Sequence, residues 1–293
     1  MIIGANRKGV IENIKNFAES GEFHNKVELT DPVLSYEENK KITGEYLENR
    51  KHIFFKIKTF LAVGLARQAT RKINKNTEIV GTKKIPKNLE GVIITSNHFG
   101  PFENTVIRHL TNKLGRKKLG IISQTTNFAM KGIIGFLMNY SNTIPIWADP
   151  RYLARDFLSV LKEKLIDKKE AVLLYPEQEM WFNYRKPRPP KNGAYFYSAK
   201  LNVPIISCFV EIVDLEEDDT EEFKKVKYVL HILDVLYPDE TKTSRENTDY
   251  LAETDYNLKK KCYEKVYGKE LTYNFENSDI AGWKKTIPRS LKR

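Results

Sequence analysis

The sequence predicts an α/β fold, a mostly parallel central sheet flanked by helices and preceded by an N-terminal amphipathic helical segment. Three observations predict it. Short apolar runs rich in valine and isoleucine recur through the middle of the chain, and helical patterns separate them in alternation. Most of these runs lack the in-out alternation of a half-exposed strand, so both faces of the sheet are expected to be covered. A chain of 293 residues is long enough to bury such a layered core without disulfides or structural metal.

The first 38 residues mix charges with Gly21, Asp31 and Pro32 and predict short helical or extended pieces packed on the main body. No proline interrupts 38–73, where Phe54, Ile57, Leu61 and Leu65 recur at helical spacing and Phe55, Phe60 and Val63 widen the apolar side. Lys51, Lys56, Lys58, Arg67, Arg71 and Lys72 surround that surface. A basic amphipathic helix of this kind suits an anionic lipid interface, and docking on the protein's own core explains the same pattern.

Strands are then expected at 77–80, 91–95, 120–123, 143–147, 171–175, 203–213 and 226–236, with helices at 103–114, 127–138, 152–164 and 194–200. The acidic run 216–222 reads as a solvated hairpin-like loop, with a metal role as the alternative. After Pro238 the chain is polar, helical from 245 to 267, and ends in a basic stretch of Lys284, Lys285, Arg289, Lys292 and Arg293. The expected organisation is a helical region at 1–74, an α/β core at 75–237 and a helical, basic extension at 238–293.

Composition narrows the function. The 49 Lys+Arg against 38 Asp+Glu give a formal charge of +11, which favours anionic partners. Nucleic acid is excluded as a partner because no helix-turn-helix, zinc-finger or aromatic RNA-binding pattern accompanies the basic residues. Cys208 and Cys262 show no metal or redox spacing, which fits a reducing cytoplasm and no metal site. Neither a signal peptide nor a spanning apolar run is visible, so membrane contact is expected to be peripheral, on the inner face.

The chemistry concentrates in 92–107, VIITSNHFGPFENTVI. A β-branched run delivers His98 just past a strand end. Gly100 is expected as N-cap and Pro101 as the first helical residue, which sets Glu103 in the first turn. A neutral imidazole takes a proton from a hydroxyl when its other nitrogen is held by an acceptor, and Glu103 is spaced to be that acceptor. Capping alone also selects a glutamate there. A second cluster follows the apolar run 171–175: Pro176, Glu177, Gln178 and Glu179, then Arg185, Lys186, Arg188 and Lys191, suited to orienting a polar head and holding phosphates. A proline-rich surface loop explains the same residues. The serine and cysteine hydrolase classes are excluded, since no Gly-x-Ser-x-Gly elbow is present and Cys208 sits within an apolar run.

Four blocks, 97–103, Ile144 to Arg151, Tyr175 to Glu179 and Val203 to Ile206, stand in the order found in the glycerol-phosphate and lysophospholipid acyltransferase family, which this sequence resembles over roughly residues 75–213. The family's blocks are Asn-His-x-x-x-x-Asp/Glu, one ending in arginine, Phe-Pro-Glu-Gly-x-Arg, and Val-Pro-Ile. The resemblance implies that His98 is the general base and Glu103 its orienter. It implies substrate contacts from Asn97, Gly100, Pro101, Arg151, Glu177 and Gln178, and an acyl-donor pocket near Pro204 and Ile205. It also implies an acyl thioester donor, acyl-CoA or acyl-ACP, with no other cofactor, and a lysophospholipid-like acceptor. Two positions depart from the pattern: Gln178 replaces the glycine and Met180 the arginine. Arg185 or Arg188 is the candidate substitute cation, and a glycan or glycolipid acceptor, or a membrane-binding scaffold without catalysis, is the alternative.

Overall fold

The strand that carries the histidine, β2 (Val92–Thr95), is buried along its whole length. It pairs in parallel with β5 (Ala171–Leu174) on one side and β6 (Ile205–Asp218) on the other. The structure is a computed structural model that describes residues 7–28, 32–115 and 118–284. With β1 (Glu78–Val80), β3 (Leu119–Gln124), β4 (Thr143–Ile146) and β7 (Lys224–Leu236), these strands form one seven-stranded sheet of order β1-β7-β6-β2-β5-β3-β4. Only β6 and β7 pair antiparallel. The expected mostly parallel sheet is present, and every predicted strand appears in it.

Both faces are covered, which is why the strands read as near-continuous apolar runs. Alternate residues serve opposite layers. Ile93, Val172 and Ile205 pack with Phe157, Leu161, Tyr195 and Leu251 on one side. Val92, Ile94, Leu173 and Ile206 pack with Val106, Ile107 and Leu110 on the other. Those last three lie on α4 (Glu103–Lys113).

The N-terminal part is more regular than the mixed composition implied. α1 (Arg7–Ser20) buries Val10, Ile11, Ile14 and Ala18 against Trp181 and Phe223. The proline-free stretch forms two helices, α2 (Tyr36–Asn49) and α3 (Ile53–Ile73), because the chain turns at 50–52 and restarts from an extended His52. Likewise 127–138 divides into α5 (Thr125–Phe128) and α6 (Gly132–Tyr140). Gly132 sits at φ +66°, and a Cβ on Gly135 would lie 1.9 Å from the Met130 carbonyl oxygen, so a straight helix is replaced by a tight kink.

The expected helix at 152–164 is α7 (Leu158–Lys162) between two wider π turns, Tyr152–Phe157 and Glu163–Asp167. α8 (Gly193–Leu201) and α9 (Ser244–Tyr267) complete the layer. The acidic run starts as strand at 216–218 and bends at 219–222, the turn of the β6–β7 hairpin, with Glu216 and Glu217 pairing across it with Lys224 and Lys225 at 3.1 and 2.6 Å. Among the described residues no group of three or more His, Cys, Asp or Glu is placed to hold a metal ion. Of the basic end, Lys284 pairs with Asp218 at 2.6 Å, while Lys285, Arg289, Lys292 and Arg293 lie outside the described residues.

Two buried polar knots tie the flanking helices to the centre. Asp255 of α9, fully buried, accepts from Thr95 Oγ1 at 2.9 Å, Tyr195 Oη at 2.6 Å, Ser207 Oγ at 2.5 Å and Lys259 Nζ at 2.7 Å. Asn74, just past α3, donates from Nδ2 to Thr105 Oγ1 on α4 at 2.8 Å. No helix among the described residues is long and apolar enough to cross a membrane.

Candidate active site

The carboxyl ends of β2 and β5 lie side by side, with Thr95 level with Leu174, and the chain beyond β5 crosses β2 to enter the sheet again as β6. A crevice at such strand ends is where open α/β sheets place their ligands. His98, Tyr175 and Glu177 all emerge there, three residues past β2 and one and three residues past β5.

His98 Nδ1 hydrogen-bonds to Glu103 Oε1. A carboxylate only accepts, so Nδ1 carries the proton and Nε2 is left with its lone pair. Glu103 is nearly sealed at 3% side-chain exposure, whereas His98 keeps 20%. The second oxygen, Oε2, accepts the backbone N–H of Phe99 and that of Gly100, the latter at 2.8 Å. One carboxylate oxygen thus holds the ring while the other holds the turn that precedes the helix.

The cap assignment itself is corrected. The helix begins at Glu103 with Phe102 as N-cap, while Gly100 and Pro101 belong to the preceding turn. The carboxylate reaches back to amides 99 and 100 and so holds that turn outside the helix. Those two amides are thereby engaged.

Tyr175 lies flat on the imidazole, with ring centroids 4.3 Å apart and planes 8° from parallel. Its hydroxyl is buried close to the Glu103 carboxylate. Burial, and then the charge of Glu103, push the phenol well above its ordinary pKa. Behind it stands Arg108 of α4, buried, donating from Nη2 to Ser141 O at 3.2 Å, its guanidinium pulled down to about 10 chiefly by burial. Sequence reading missed the stack; the available signal was an aromatic residue immediately before Pro176.

The remaining expected contacts divide. Glu177 joins the site from beneath: Oε2 accepts the His98 N–H at 3.1 Å, and Oε1 accepts the Arg188 N–H at 3.0 Å. Arg188 is enclosed, 3.0 Å from Glu177 Oε2 and 4.4 Å above the Trp181 ring, with Nη1 on Phe23 O at 2.7 Å. Arg185 pairs with Asp214 at 2.5 Å and donates to Ile212 O and Ser278 O. Neither arginine takes the place of the one missing at Met180 as a cation facing a ligand; both are consumed inside the protein. Gln178 adopts φ +66°, the glycine-like conformation that its block calls for.

Asn97 is buried and pairs with strand β6, its Nδ2 on Val210 O at 3.0 Å and its Oδ1 on Val210 N at 2.8 Å, which extends the sheet by one rung beyond β2. Arg151 is exposed past β4, with β5 and β3 between that strand and β2, a lateral step of about 14 Å. Pro204 and Ile205 do not join His98. Ile205 is level with Ile93 in a parallel pairing, which puts both at the opposite end of the sheet, about 16 Å of strand away. Burial pushes the thiols of Cys208 and Cys262 up to about 12 and about 11, so neither is a nucleophile.

Residues 76–211 match the family model described as Acyltransferase. The match covers the four blocks. Among solved structures, the fold is similar to that of the 1-acyl-sn-glycerophosphate acyltransferase PlsC from Thermotoga maritima, at 18% identity and a TM-score of 0.50, over 80% of this chain and 95% of that one. No curated protein matches the chain.

Proposed function

We propose that the chain moves a fatty acyl group from an acyl thioester, on coenzyme A or acyl carrier protein, to a hydroxyl of a lysophospholipid or related glycerol-phosphate acceptor. The observation that carries this reading is the His98–Glu103 pair, made through Nδ1, on a ring that keeps 20% of its side chain exposed. The acceptor oxygen attacks the thioester carbonyl as its proton passes to Nε2. The carbon–sulfur bond then breaks, and the imidazolium returns the proton to the departing thiolate. Glu103 stabilises the positive charge on the ring between these steps. The sequence needs no covalent enzyme intermediate and no further cofactor.

The donor and acceptor meet this site, in our reading, at an anionic lipid surface on which α3 rests. Ile53, Phe54, Ile57, Phe60, Leu61 and Leu65 are exposed by 44 to 80% and fall on one face of the helix. Lys56, Lys58, Arg71 and Lys72 flank or end that stripe. Ile133, 62% exposed at the start of α6, packed beside α3, adds to it. An apolar stripe with a cationic border is what an interfacial helix presents to acidic headgroups.

One observation favours a second acceptor class. Arg185, Lys186 and Arg188 each have a carboxylate partner inside the protein, so the segment expected to hold a phosphate offers none of these three charges outward. A glycolipid hydroxyl fits that feature as well as a lysophospholipid does.

The test is thiol release from palmitoyl-CoA and from palmitoyl-ACP with a panel of lysophosphatidate, other lysophospholipids and glycolipids. Wild-type protein is expected to release thiol with at least one acceptor, and His98→Ala to lower the rate by about 10²–10⁴-fold with its circular dichroism unchanged. Full turnover in that variant removes the assigned base. No turnover with any pair leaves the scaffold reading.

A further inference from the structure

We propose that Glu177, Arg188 and Tyr175 are positioning residues for His98, so that the loop after β5 is the mount of the base rather than a contact for the acceptor; this rests on the acyl-transfer reading. The loop holds both backbone polar groups of the histidine. Glu177 Oε2 accepts its N–H at 3.1 Å, while its carbonyl accepts the Trp181 N–H at 3.1 Å and Arg188 Nη2 at 3.4 Å. The ion pair that performs this is sealed, at 0% and 5% side-chain exposure. Both carboxylate oxygens are engaged, Oε1 by the Arg188 N–H at 3.0 Å and Oε2 by Arg188 Nε at 3.2 Å as well as by His98. Little of Glu177 is left for a substrate to meet.

The ring is fixed separately. Glu103 sets its tautomer, and Tyr175 lies against its face at 4.3 Å. When the imidazole gains a proton, the π face of Tyr175 adjoins the new charge and stabilises it. Backbone, ring plane and tautomer are thus set by three different groups. The departures in the third block agree with this role. Met180 needs no cation beside it if the cation has a structural duty that Arg188 performs from eight residues on. Gln178 is tolerated in the left-handed region because the turn, not a ligand, dictates that conformation.

The experiment compares wild type with the double variant Glu177→Gln/Arg188→Gln, which removes both charges together and leaves neither alone in the interior. Steady-state kinetics with palmitoyl-CoA and lysophosphatidate are read beside nitrogen-resolved NMR of the His98 ring. Misplacing a base by about 1 Å costs on the order of 10²-fold, so kcat is expected to fall by about that factor, with the acceptor KM held within about twofold. Once the backbone of His98 shifts, its ring is expected to leave Glu103, and the ring nitrogens to lose their single-tautomer signature. A raised acceptor KM with kcat retained overturns the proposal in favour of a ligand contact, and so does an unchanged tautomer with unchanged kcat.

Tyr175→Leu supplies a second arm that leaves the ion pair intact and so decides the matter even if the double variant does not fold. There kcat is expected to drop about tenfold, and Tyr175→Phe, which returns the ring, to recover most of it. Equal losses in the two variants overturn the role of the ring. If wild type consumes no thioester, the acyl-transfer reading fails, and the tautomer signal alone still decides the positioning role.

Discussion

The stretch 185–191 and helix α3 look alike as sequence, cations set among apolar or proline residues, yet the fold uses them in opposite ways. Arg185, Lys186 and Arg188 meet Asp214, Asp279 and Glu177 at 2.5, 2.7 and 3.0 Å, and the last two pairs are almost wholly buried. Lys51, Lys56, Arg71 and Lys72 are exposed and form no ion pair among the described residues. The difference lies in the carboxylates. Each of the three cations of 185–188 finds an acid within the fold, whereas no carboxylate meets those four cations of 51–72 among the described residues. A run of positive charge therefore signals a partner only after the protein's own acids have been assigned.

The sharpest way to break this contrast is Glu177→Ala. Leaving Arg188 buried without its carboxylate is expected to lower folding stability by about 3–5 kcal/mol, read from urea unfolding. A loss below about 1 kcal/mol would mean that the basic segment is solvated after all, like α3.

Next in size is the Lys186–Asp279 pair, with 2% and 0% of its side chains exposed. Lys186→Met or Asp279→Leu alone is expected to cost roughly 3 kcal/mol, while the two together come out near neutral. Additive losses would show that the pair's surroundings, not its charges, set the stability.

On the α3 side, Phe54→Ser with Phe60→Ser is expected to leave stability within about 0.5 kcal/mol, because both rings face outward. Sedimentation with phosphatidylglycerol vesicles is expected to fall by about tenfold or more per ring. Lys56→Gln takes a smaller part, about 1 kcal/mol, that vanishes at high salt. Vesicle binding that ignores all three substitutions removes α3 as the docking face.

The smallest effect belongs to the turn between Glu177 and Arg188. Gln178→Gly relieves a side chain held at φ +66° and is expected to stabilise the protein by up to about 1 kcal/mol. A loss of stability instead would mean that the Gln178 side chain holds a contact worth more than the strain.

The sheet was legible because its strands are apolar runs bounded by turn residues, and the dyad because five positions separate His98 from Glu103 across a strand end. What stayed hidden depended on distance along the chain. Glu177 and His98 are 79 residues apart, and Arg188 and the Phe23 carbonyl it caps 165, so no local pattern announces either bond. The resemblance implies an acyl-donor pocket near Pro204 and Ile205, and where those residues lie relative to His98 is set by strand register, which no block pattern encodes. The parallel register sends the start of β6 to the far end of the sheet from the end of β2. The helix start was misplaced by two residues for a physical reason too: Glu103 draws the amides of Phe99 and Gly100 to itself, which no propensity at Gly100 or Pro101 encodes.

Asn74 joins the last turn of α3 to Thr105 by a 2.8 Å hydrogen bond, two residues beyond Glu103. In the proposed docking of α3 on lipid, that joint would fix how high the imidazole stands above the headgroup plane. An acceptor then has to present its hydroxyl at one altitude, and a lipid whose head is taller or shorter meets the base out of step.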